Sequence, residues 1–155
     1  MSFSRWVFLT LFACLFQSSV LAGVHRFQPV LGTQGMVSSQ DALATQIGLD
    51  VLAKGGNAVD AAVAVAYALS VSLPRAGNIG GGGFMMVYWH DTQAVTAIDY
   101  REKAPLLAHR DMFLDADGQV DNQKSRHSLL ASGVPGTVAG MQLALDQFGT
   151  MPLKL

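Results

Sequence analysis

Apolar positions along this chain fall into runs separated by glycine-rich or polar breaks, and the period of each run predicts its element. Gly35-Met36-Val37-Ser38-Ser39 reads as a short strand running into a helix start, with Ser38 or Ser39 as N-cap and Asp41 in the first turn. Ala42, Ile47, Leu49, Val51 and Leu52 then supply an apolar face until Lys54-Gly55-Gly56 ends the helix. Asn57 is placed to cap a second helix, with Asp60 three residues on giving a weaker version of the capping box, and the Ala- and Val-rich residues 58–73 run on to Pro74. Small side chains on all sides predict that this second helix is buried by close packing.

Two strands follow, Phe84 to Trp89 and Ala94 to Tyr100, joined by the polar turn His90-Asp91-Thr92-Gln93. Asp115-Ala116-Asp117-Gly118 marks a further turn. Val134-Pro135-Gly136-Thr137 leads into a helix carrying Val138, Met141, Leu143, Leu145 and Phe148 before Gly149. A link this short cannot carry a crossover, so the order predicts an α+β fold with an antiparallel sheet rather than a parallel doubly wound one. Residues 23–33 show no periodicity and read as an extended lead-in.

Composition narrows the function classes. Half the residues are hydrophobic and only 14% are charged, which argues for a packed interior and against disorder. The formal net charge is −1 and the basic residues are scattered, so no surface for nucleic acid is predicted. Cys14 is the only cysteine, which excludes an intrachain disulfide and a cysteine-based zinc site.

Arg5, the apolar run Trp6 to Phe16 and the small residues around Ala22 read as a signal peptide over residues 1–22, with an uncleaved anchor as the alternative. Residues 23–155 would then be the mature part, exported to a periplasm or extracellular space, and loss of Arg5 moves the formal charge from −1 to −2.

Few side chains suggest chemistry. Gly80-Gly81-Gly82-Gly83 lacks the Lys and Ser or Thr of a phosphate loop and leads into a strand, so close backbone packing is the better reading. His25, His90, His109 and His127 are dispersed, and no metal site or cofactor is predicted. Ser128 and Ser132 lack a nucleophile-elbow context. Asp115, Asp117 and Asp121 lack the spacing of a calcium loop and read as a solvated turn. Arg101, where the second strand leaves the sheet, is suited to gripping a carboxylate with two parallel hydrogen bonds. Its alternative is an ordinary ion pair with Asp99, Glu102 or Asp111.

Four stretches taken together resemble a known family. Gly55-Gly56-Asn57-Ala58-Val59-Asp60-Ala61-Ala62, Gly77-Asn78-Ile79-Gly80-Gly81-Gly82-Gly83-Phe84, Tyr100-Arg101-Glu102-Lys103-Ala104-Pro105 and Ser132-Gly133-Val134-Pro135-Gly136-Thr137-Val138-Ala139-Gly140 are similar to words of the gamma-glutamyltransferases (glutathione hydrolases), in that family's order, from about Gly35 to Leu155. The resemblance implies an αββα sandwich of the Ntn-hydrolase superfamily, with residues 23–155 as the amino-terminal, incomplete portion of the large-subunit domain.

It also implies a precursor that cuts itself. The new amino-terminal threonine of the small subunit attacks a gamma-glutamyl amide, as in glutathione, and the acyl group passes to water or to an amino-acid or peptide acceptor. Arg101 would hold the alpha-carboxylate of the glutamyl group. None of the threonines here lies in the family's processing context, so no catalytic residue is assigned. These residues by themselves are expected to be inactive, with the small subunit of the same precursor as partner. The competing expectation is a truncated, non-catalytic relative acting as a binding or structural module.

Overall fold

Helix α1, Ala42–Ala53, starts at Asp41, whose side chain accepts a hydrogen bond from the Ala44 N–H at 2.9 Å. The cap is thus Asp41, not Ser38 or Ser39. Ser39 instead braces the cap, with its hydroxyl 2.8 Å from both the Asp41 carbonyl and the Thr45 hydroxyl. At the other end Gly55 N–H bonds to Leu52 O and Gly56 N–H to Val51 O, each at 3.0 Å, while Gly55 takes φ +90°. This is the Schellman closure that glycine makes without strain.

The computed structural model describes residues 29–152. Two units are distinguished, Met1–Gly32 and Thr33–Leu155, and the described part of the first, residues 29–32, holds no helix or strand. The signal-peptide reading of residues 1–22 lies outside the described residues. The expected strand at 35–39 is not regular structure, because no second strand among the described residues pairs with it.

Helix α2, Ala58–Ser72, begins at Asn57 with the full capping box. Val59, Asp60, Ala61, Val63 and Val65 of its first half are buried, but Ala62 is exposed and the helix emerges towards its end, where Val71 is exposed. Uniform burial was therefore an overestimate. The contact with α1 also differs from expectation, since Ala44 and Gly48 are the buried residues of α1 whereas Ala42 and Leu49 of the expected face are exposed. The cause is proximity: a Cβ on Gly48 would lie 2.7 Å from Val65 Cγ2, so the closest approach of the helices is at a small residue rather than at Leu49.

Strands β1, Phe84–Trp89, and β2, Ala94–Asp99, form an antiparallel hairpin in which Phe84 faces Asp99 and Trp89 faces Ala94. The four-residue turn closes through Gln93, the sole non-glycine residue with positive φ (54°) among those described. Alternation places Val87 and Ile98 on the buried face, against Val59 and Val63 of α2 and Met141 and Ala144 of helix α4, Thr137–Phe148. The opposite face, with Phe84, Met86, Tyr88 and Val95, is exposed and apolar. Helices packed on one face of an antiparallel sheet make the described fold α+β, as expected.

Between the hairpin and α4 lie a six-residue helix α3, Asn122–His127, and a 3-10 turn, Leu129–Ala131. Neither shows in the apolar pattern, because neither has a buried residue. The signal in the sequence for α3 is its cap: Asp121 Oδ1 accepts from the Gln123 and Lys124 N–H groups at 2.9 and 3.0 Å.

Candidate functional site

Where β2 ends, the chain turns sharply and is held from both sides. Asp99 Oδ1 accepts a hydrogen bond from the Arg101 N–H at 2.9 Å, and the Tyr100 N–H donates to Gly83 O at 3.0 Å. Lys103 and Val134 exchange backbone bonds of 3.1 and 2.8 Å. The glycine-rich loop is tied to the start of α4 in turn, since Gly81 O accepts from the N–H groups of Gly136 and Thr137, and the Thr137 hydroxyl donates to Asn78 O at 3.0 Å. Residues 100–103 therefore lie between two glycine-bearing segments, 80–83 and 133–140.

The Arg101 side chain projects outward, 65% exposed, at a cavity of about 250 Å³ lined by Asp99, Lys103, Val134, Ala139 and Leu143 among others. Of the three carboxylates considered for it, Asp99 is engaged by the Arg101 backbone and Asp111 pairs with Arg110. Only Glu102 pairs with the guanidinium, Nε to Oε2 at 3.7 Å. An exposed pair of that length contributes little, and most of the guanidinium's five donors remain available to a ligand. A small, mostly apolar cavity with one arginine at its edge can orient a carboxylate-bearing group of amino-acid size. The neighbouring Tyr100 is half-buried, and burial pushes its phenol above the ordinary value, so it is neutral at pH 7 and acts through packing.

A larger cavity, about 570 Å³, lies between the 34–38 segment and helices α1 and α2. Its lining has no ionisable side chain, and it offers no chemistry on its own.

A second polar constellation was not foreseen. Asp60, only 4% exposed, accepts from the Asn57 N–H at 2.8 Å, the Thr150 hydroxyl at 2.7 Å, the Thr150 N–H at 3.1 Å and the Met151 N–H at 3.2 Å. Asn57 Nδ2 donates to Phe148 O at 2.6 Å, so the same four-residue box that starts α2 also fastens the end of α4. Burial, the largest single influence, raises the Asp60 carboxyl, but the hydrogen bonds from Thr150, Asn57 and Met151 together hold it below the ordinary carboxylate value. The capping box was legible in the sequence. Its partners 90 residues away were not, since nothing in the spacing links them.

The remaining candidates disperse. The glycine run leads into β1 rather than a helix, and the close approach of Gly82 to the 100–102 backbone bears out the packing reading at that position. Asp115 Oδ1 accepts from the Asp117 and Gln119 N–H groups, a solvated turn. The Ser128 hydroxyl donates to Lys124 O. Among the described residues no group of three or more His, Cys, Asp or Glu is placed to hold a metal ion.

Comparison with known proteins gives a consistent result. A sequence model of a family described as gamma-glutamyltranspeptidase matches residues 44–155. The glutathione hydrolase proenzyme of Escherichia coli (strain K12) is 63% identical over 128 residues, covering 83% of this chain and 22% of that protein. The crystal structure of Helicobacter pylori gamma-glutamyltranspeptidase aligns with a TM-score of 0.76 and 50% identity, over 81% of this chain and 36% of that one. For the gamma-glutamyltranspeptidase of Pseudomonas nitroreducens complexed with L-DON the TM-score is 0.72 and the identity 44%, over 78% and 36% of the two chains. The chain thus spans little more than a fifth of the Escherichia coli relative's length.

Proposed function

The chain belongs to the gamma-glutamyltranspeptidase family, and from that premise we propose that it serves gamma-glutamyl transfer by supplying the arginine that holds the donor's alpha-carboxylate. The substrate class is a gamma-glutamyl amide such as glutathione, and the acceptor is water or the amino group of an amino acid or peptide. The attacking threonine comes from the small subunit of the same precursor. Its hydroxyl adds to the amide carbonyl, the amine leaves with a proton, and the resulting ester passes its acyl group to the acceptor. Arg101 does no bond-making. Its role is to fix the glutamyl end so that the scissile carbonyl meets the nucleophile in one orientation. The partner is thus the small subunit, and the compartment is periplasmic or extracellular. No helix among the described residues is long and apolar enough to cross a membrane.

The observation that carries this reading is the placement of Arg101. Its backbone is fixed between two segments, its side chain is 65% exposed beside a small cavity, and its one ion pair among the described residues is a long one of 3.7 Å. The test is to assay the full gene product for turnover of a gamma-glutamyl anilide, with Arg101→Lys alongside. A lysine keeps the charge but not the two-pronged grip, so donor KM should rise about tenfold, the equivalent of one charge-assisted hydrogen bond, with kcat changing less. An unchanged KM rejects the role of Arg101. Absence of any turnover in the full gene product rejects the enzyme reading and favours a binding or structural module.

A further inference from the structure

The backbone immediately before Arg101 sits in a slot that only glycine admits. A Cβ built on Gly82 would lie 2.6 Å from the Tyr100 carbonyl oxygen, 2.8 Å from the Glu102 nitrogen and 2.9 Å from the Arg101 Cα. From the other side, a Cβ on Gly136 would fall onto the same Tyr100 carbonyl oxygen, and one on Gly140 onto Cβ and Cγ of the Tyr100 side chain. Backbone cannot swing aside as the far end of a side chain can, so a methyl group at 82 or 136 must displace the Tyr100–Arg101 peptide itself. Not every glycine here is under that constraint. Gly81, in the same loop, would place its Cβ at an ordinary 3.5 Å from its nearest neighbours, and Gly77 meets nothing within 4 Å.

We propose that Gly82 and Gly136, with Gly140 bracing the Tyr100 ring, are positioning residues that set where the Arg101 guanidinium reaches the donor carboxylate. The inference rests on the carboxylate-binding reading of Arg101 and adds the reason that this arginine is effective although its side chain is exposed. A long side chain loses rotamer freedom when it grips a ligand, and a fixed Cα leaves less to be ordered at that moment. The two hydrogen bonds of an arginine-carboxylate pair also demand a defined approach, so a shift of the Cα by about 1 Å spoils both at once. The structure spends hydrogen bonds on the same task, since Gly81 O ties the loop to Gly136 and Thr137, and Lys103 and Val134 are bridged.

The test is a double-mutant cycle in the full gene product, read as kcat and KM for a gamma-glutamyl anilide and for its analogue lacking the alpha-carboxylate. Gly82→Ala and Gly136→Ala should each raise the KM of the carboxylate-bearing donor by about tenfold to a hundredfold. They should leave the analogue's kinetics within twofold of the parent and add nothing in an Arg101→Ala background. Gly81→Ala serves as the loop control and should match the parent. Should neither clamp variant accumulate as folded protein, Gly83→Ala gives a graded version, because its Cβ meets the Tyr100 ring at 3.0 to 3.1 Å and displaces it by only a few tenths of an ångström. It should then raise the donor KM measurably, again not in the Arg101→Ala background. Additive losses in that background, or equal losses with both substrates, overturn the positioning role while leaving the assignment of Arg101 intact. An Arg101→Ala variant with unchanged donor KM removes the reading on which the inference rests.

Discussion

Replacing Asp60 by Ala would withdraw one buried carboxylate from four donors in two distant parts of the chain. The Asn57 N–H loses the reciprocal half of a capping box, worth about 1 kcal/mol. The Thr150 hydroxyl and the Thr150 and Met151 N–H groups lose a charged acceptor. Bonds to charge contribute about 1.5–3 kcal/mol each where water is excluded. Thr150 is exposed and Met151 half-buried, so water recovers much of that, and a total of about 2–4 kcal/mol is expected. Asp60→Asn keeps one acceptor oxygen and should lose about half as much.

Urea denaturation of the 155-residue chain, followed by the fluorescence of Trp89 against Phe148 at 6.0 Å, measures the loss. The pH dependence supplies the sign. The folded Asp60 carboxyl titrates below its ordinary value of 3.8, so the unfolded chain takes up the proton more readily. Its contribution is therefore complete above that unfolded value and is lost as pH falls through the lower folded one. The stability gap between parent and Asp60→Asn should be constant from pH 7 to pH 5 and should close only below about pH 4. A gap under about 0.5 kcal/mol at pH 7, or one that persists unchanged to pH 3, refutes the argument that the charged carboxylate is what joins α2 to the end of α4.

Two further outcomes follow from packing and backbone. Gly48→Ala should destabilise the chain by about 1–3 kcal/mol, because its Cβ would lie 2.7 Å from Val65 Cγ2 and 2.9 Å from Val37 Cγ1; Val65→Ala in the same chain should recover part of that loss in a urea titration, and no recovery would count against the α1–α2 contact described. Gly55→Ala should cost about 1 kcal/mol through its φ of +90° alone, since nothing lies within 4 Å of the new Cβ; a neutral result would mean that the Schellman closure is not maintained in solution.

Local order was readable from the sequence because it depends on neighbours along the chain. The Asn57–Asp60 box, the Gly55 stop and the two strands with the short polar turn of the hairpin each need only a few consecutive residues, and each recurs in the structure. The four family words were legible for a different reason, since they are runs of consecutive residues that can be matched without the fold. What they left open was why those residues stand there. The glycines at 80–83 read as generic packing and those at 133–140 only as part of a family word, and the folded chain alone brings both stretches onto Tyr100 and Arg101, from opposite sides.

The misread positions share one cause. Leu49 looks like a core residue by its chemistry, yet it is exposed while Gly48 is buried, because the approach of α2, not the hydrophobicity of α1, decides which face is covered. Helix α3 was missed since it buries nothing and its cap is its one local signal. Asp60 shows the division most clearly. Its part in starting α2 is fixed by a three-residue spacing, whereas its hold on Thr150 and Met151 exists only once α2 and α4 have packed around Val59, Val63, Met141 and Ala144. The sequence by itself thus determined the three longer helices and the hairpin, products of short-range geometry, while the resemblance to a family singled out the candidate arginine. Tertiary structure alone decided which faces are covered, what holds Arg101 in place and what Asp60 fastens, because those depend on contacts between residues that the chain order keeps far apart.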